Sequence, residues 1–120
     1  MERALEVPIS RPSAEDAVSA AVSYLYLNTF GKAPAQVETS IRGDVIVSVL
    51  HDVFTPAEKL MLAAGRQDSV LTTRMLWQHS SNELFNAAVG DAIGRVVLAT
   101  ISGFEVEHAL ACEVFVLAPA

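Results

Sequence analysis

The chain of 120 residues carries 14 acidic and 8 basic side chains, a formal charge of −6, and one cysteine, Cys112. That balance disfavours nonspecific attraction to nucleic acid or to an anionic bilayer, and a single cysteine excludes an intramolecular disulfide framework and a multi-cysteine zinc site. Hydrophobic residues make up 52% of the chain and the mean hydropathy is +0.38, which suits one domain with a large core and some apolar surface closed off in an oligomer.

Residues 1–12 mix charges with Pro8 and Pro12 and show no clean period. They read as a loosely held N-terminal arm. Met1 to Arg11 lacks the continuous apolar stretch of a secretory signal. The longest uncharged run, fifteen residues between Asp16 and Lys32, falls short of the roughly 20 apolar residues that cross a bilayer. A cytoplasmic protein without direct membrane insertion is expected.

Ser13, followed by Glu15 and Asp16, places a capping hydroxyl and acidic charge at a helix start. Val18, Ala21, Val22 and Leu25 continue as one apolar stripe at helical spacing, and Gly31, with Pro34 soon after, closes the helix. From Val37 the period falls to 2. Gly43-Asp44 then supplies a two-residue hairpin turn into a valine-rich strand from Val45. The tripeptide Arg42-Gly43-Asp44 needs only this backbone explanation.

Thr55 as cap, Pro56 at the first helical position and Glu58 in an S/T-x-x-E box announce a second helix, which Gly65 stops. A longer helix from Asp68 or Ser69 is predicted to end near Val89, with Gly90 just beyond. Two further strands, Arg95 to Ser102 and Leu110 to Leu117, are apolar on both faces. Coverage by helices on one side and by another subunit on the other would explain this. The order α-β-β-α-α-β-β predicts an α+β domain over 13–118, with a mostly antiparallel four-stranded sheet built from two hairpins and helices on one face.

Candidate chemistry is sparse. His51 and Asp52 end the second strand, but neighbours in a strand point to opposite faces. His79 and Glu83 share a helix face without the further ligands of a metal site. Glu105, Glu107 and His108 make an acidic hairpin tip, and Cys112 has no basic neighbour to activate its thiol. Lys59 and Arg74, with His51, could hold a small anion such as a carboxylate or bicarbonate. The plainer reading pairs Arg74 with a structural acid such as Glu58. No cofactor, metal or catalytic residue is indicated.

Several segments together resemble the MpsC-type family, named for a Na+-translocating, membrane-potential-generating system. They are Gly31-Lys32-Ala33-Pro34, the strand opening at Asp44, Thr55-Pro56-Ala57-Glu58-Lys59-Leu60, Arg74, Ile93-Gly94-Arg95-Val96-Val97, and the terminal Glu113-Val114-Phe115-Val116-Leu117. Where the family often has a second glycine, this chain has Ala33. The resemblance marks Gly31, Lys32, Pro34, Thr55, Pro56 and Glu58 as structural motif residues. It implies a non-enzymatic accessory module, homo-oligomeric with a dimer favoured, serving a membrane transport protein and no nucleic acid. The alternative is a small-anion-binding or enzymatic domain sited near His51, Lys59 and Arg74.

Overall fold

A computed structural model describes residues 13–120. The expected N-terminal arm lies outside the described residues. Seven elements follow in the expected order: α1 (Ala14–Phe30), β1 (Gln36–Arg42), β2 (Val45–His51), α2 (Pro56–Ala63), α3 (Gln67–Ile93), β3 (Val97–Glu105) and β4 (Leu110–Leu117). All strand pairs are antiparallel, in the spatial order β1-β2-β4-β3. The two hairpins are therefore joined along one seam, β2 against β4.

The helix boundaries follow their chemistry. The Ser13 hydroxyl accepts from the Asp16 amide at 3.1 Å, and Gly31 closes α1 in the left-handed region at φ 82°. At α2 the capping box is complete: Glu58 N–H donates to the Thr55 hydroxyl at 3.1 Å, and Thr55 N–H to the Glu58 carboxylate at 2.8 Å. Helix α3 has no side-chain cap at Arg66. It runs to Ile93, four residues beyond its predicted end, and Gly94 closes it at φ 68°.

Gly90 is thus an interior helical residue, and its smallness serves packing. A Cβ there would lie 2.7 Å from the Arg95 carbonyl oxygen, where the chain folds back to enter β3. Strand β3 also departs from simple alternation of buried and exposed residues. A register shift between Val97 and Ala99 makes room for an extra residue, so Val97 and Thr100 are buried while Leu98 and Ile101 are exposed. Such a bulge re-aims every side chain downstream of it.

The helices pack on one face of the sheet. From α1 come Val18, Val22, Leu25, Tyr26 and Phe30; from α3, Val70, Phe85 and Val89. The sheet answers with Ile46, Leu50, Ala111, Phe115 and Leu117. Helix α2 buries no residue completely, and only Leu62 packs partly against the core.

Replacing an interior helical glycine by alanine ordinarily stabilises by about 1 kcal/mol. Here the 2.7 Å approach to a carbonyl reverses the sign, and Gly90→Ala is expected to cost about 1–3 kcal/mol. Chemical denaturation measures this directly; a more stable variant would mean that the turn at Arg95 yields freely.

Candidate functional site

Two buried polar centres and several surface ion pairs hold nearly all the chemistry of the described residues. The first centre is Arg74, fully buried on α3. Its Nε donates to Glu58 Oε2 at 2.6 Å, and Nη2 donates to Glu58 Oε1 and to the Val53 carbonyl, both at 2.6 Å. The guanidinium lies over Phe30, 4.0 Å from the ring centroid, with Phe54 and Phe104 further off. Burial raises the Glu58 pKa, but hydrogen bonds from Arg74 and the Thr55 amide outweigh it and hold the carboxyl below its usual range. Arg74 Nη1 has no protein partner, and neither do the two amide atoms of buried Gln78 one turn along.

The other candidate residues are held by separate acids. His51 ends β2 with Nε2 3.0 Å from Glu38 Oε2. Lys59 reaches Asp52 at 3.1 Å, and Lys32 reaches the same carboxylate at 3.5 Å. Lys32 also donates to the Asp52 and Ala33 carbonyls. Asp52 therefore ties the Gly31–Pro34 turn to the end of β2 and the start of α2. His51, Lys59 and Arg74 each face a different carboxylate.

The second centre crosses the sheet. Thr39, Ser48, Glu113 and Ser102 are register partners on adjacent strands, forming one polar row on the buried face. The Ser19 and Thr39 hydroxyls are 2.7 Å apart, and those of Thr39 and Ser48 2.8 Å. Tyr26 donates to Glu113 Oε2 at 2.5 Å, and the Ser102 hydroxyl donates to Oε1. Burial pushes the Glu113 carboxyl up to about 7, although these two hydroxyls pull it back towards ionisation. Burial, with the neighbouring acid, likewise raises the Tyr26 phenol far above its ordinary value.

Glu113 is the functional-type residue that reading from the sequence missed. A signal was present: alternation along β4 places it on the face of Ala111, Phe115 and Leu117, all buried. Both Tyr26 and Glu113 have zero exposure, so this acid is closed off from solvent.

His79 and Glu83 are exposed on α3. The ligand atoms of Glu105, Glu107 and His108 come within 4.8 Å of one another, all exposed. The Glu105 carboxylate is already used locally, accepting from the His108 amide at 2.8 Å. An open cleft of about 780 Å³ lies by Glu83, Gly90 and Asp91, and a hollow of about 210 Å³ opens beside Met61, Val70 and Trp77. Neither brings a nucleophile to a base. No helix of the described residues is long and apolar enough to cross a membrane.

The neutral, buried form of Glu113 fixes the sign of a pH effect. With a folded pKa of about 7 against 4.5 when exposed, the folded state binds more protons between these values. Stability therefore falls as pH rises from 4.5 to 7, by up to about 3 kcal/mol at 1.36 kcal/mol per unit. Glu58 acts oppositely: its contribution is present above 4.5 and is lost as pH falls through its lowered pKa. Denaturation should show greatest stability near pH 5, and Glu113→Gln should flatten the decline towards pH 8. An unchanged decline would place its origin elsewhere.

The family model described as "Na+-translocating membrane potential-generating system (MpsC)" matches residues 10–119, and the chain belongs to that family. No curated protein and no solved structure matches the chain.

Proposed function

We propose that this MpsC-family protein is a non-enzymatic accessory module of a Na+-translocating, membrane-potential-generating system, working as a homo-oligomer through docking. The carrying observation is the family match over residues 10–119. The site geometry supports it, because the buried acid and base are sealed and serve the fold. No helix of the described residues can span a bilayer, so ion passage falls to a membrane transport partner in this reading. Trp77 and Leu84, two turns apart on α3, are both exposed and give the helical side apolar points on which such a partner could rest.

The reading is tested in the source organism. Loss of the gene should remove the Na+-dependent part of the membrane potential, read with a potential-sensitive dye, and the wild-type gene should restore it. An unchanged potential at every Na+ concentration overturns the proposal.

A second reading, small-anion binding near His51, Lys59 and Arg74, is narrowed to Arg74 by one observation: its Nη1 and the Gln78 amide are buried without partners, whereas His51 and Lys59 each face a carboxylate of their own. Binding there would satisfy donors that otherwise cost about 1–3 kcal/mol each. Acetate, bicarbonate and phosphate should then raise the melting temperature of the wild type and leave Arg74→Met unaffected. No rise with any of them removes this reading.

A further inference from the structure

The sheet face turned away from the helices has a layout that specifies its own cover. Val45, Val47 and Val49 of β2 stand opposite Val116, Val114 and Cys112 of β4. Beyond β4, strand β3 continues the same rows with Ala99, Ile101 and Gly103. This block contains no charge across three strands, and Ile101 is 59% exposed. A bare apolar surface of this kind marks an interaction site, and the polar β1 column beside it supplies a rim along one edge.

The rim identifies the partner. On this face β1 presents Glu38, opposite Val49, then Ser40, opposite Val47, then Arg42, opposite Val45. Charge therefore reverses along the column, with Ser40 at its centre. Arg42 has no ion-pair partner among the described residues. Glu38 meets His51 and, at 3.5 Å, the Gln36 amide, both in exposed contacts on the same face.

We infer that this face docks on the same face of a second copy, with a two-fold axis running across the strands at the level of Ser40, Val47, Val114 and Ile101. The inference rests on the homo-oligomeric part of the proposed function. About that axis each copy's Glu38 opposes the other's Arg42, and the apolar columns oppose themselves. Two such sheets stack about 10 Å apart. A two-fold contact must be self-complementary, and a column reading acid, neutral, base meets that condition when reversed upon itself. An unrelated partner places no such demand on the order of charges.

Light scattering after size exclusion at micromolar concentration tests the surface. Wild type should be a dimer, and Val47→Lys and Ile101→Lys should be folded monomers, since both side chains project from the sheet into solvent. Leu84→Lys, on the far side of the helical layer, should remain dimeric. Arg42→Glu or Glu38→Arg alone should weaken the dimer about tenfold or more, and the double reversal should restore it. Cys112, the only thiol, should react slowly with a maleimide in the dimer and faster in the monomeric variants.

A monomeric wild type overturns the homo-oligomer reading and this inference with it. A dimer that survives both lysine substitutions, or is broken by Leu84→Lys, overturns the surface while leaving the oligomer. Failure of the double reversal to restore binding overturns the two-fold arrangement. Should a lysine variant not fold, the rim reversals and Cys112 reactivity decide the matter.

Discussion

A full positive charge with zero exposure sits within the helical layer, and the placement of α2 depends on how that charge is met. Arg74 is neutralised by Glu58, and Glu58 is also the third residue of the α2 capping box. One carboxylate therefore ends a helix, answers a buried cation and bridges two elements. Because α2 buries no residue completely, the hydrophobic effect does little to hold it. Removing one partner of a buried pair strands the other, at a typical cost of about 3–5 kcal/mol. In this protein that cost would fall on the position of α2 before it fell on the core.

The two buried ionisable groups, Arg74 and Glu113, illustrate opposite solutions to the same desolvation problem. An arginine cannot shed its proton at accessible pH, so Arg74 needs an acid, a carbonyl and the faces of three aromatic rings. A glutamate can take up a proton, and Glu113 is surrounded by hydroxyls with no cation bonded to it. Burial then raises its pKa instead of drawing in a counter-charge. Both solutions keep these groups out of solvent's reach and tie helices to one another or to the sheet.

What the sequence disclosed was what is local. Ser13, Gly31, Thr55, Pro56 and Glu58 act within one turn of their own positions, so their spacing alone announced the ends of α1 and the start of α2. The element order and the antiparallel sheet followed from period and turn chemistry. The order β1-β2-β4-β3 did not, because nothing in β2 states whether its free edge meets β3 or β4. Gly90 looked like a stop signal because glycine at a helix end and glycine at a close crossing read alike; the Arg95 carbonyl that distinguishes them is a contact made in space. The bulge after Val97 was hidden for a similar reason, since every residue around it is apolar. Arg74 and Glu58 are sixteen positions apart, and their pairing could be named as one option among several. Glu113 was legible in principle from its place among buried neighbours on β4, yet its partner Tyr26 lies on α1, at the other end of the chain.

That last distance matters for assembly. Each hairpin can form from its own short segment, whereas the seam between β2 and β4 joins parts of the chain far apart in sequence. Aliphatic side chains on both strands would tolerate a sliding mismatch. The acid does not. A slip of one residue would turn Glu113 to the outer face and Cys112 inward, and a slip of two would carry it away from the Tyr26 hydroxyl, which travels with α1 over β1. In most misaligned dockings a carboxyl would be buried without that phenol as its donor. Glu113 would thus penalise wrong alignments of the seam, because only the native register brings it to the Tyr26 hydroxyl.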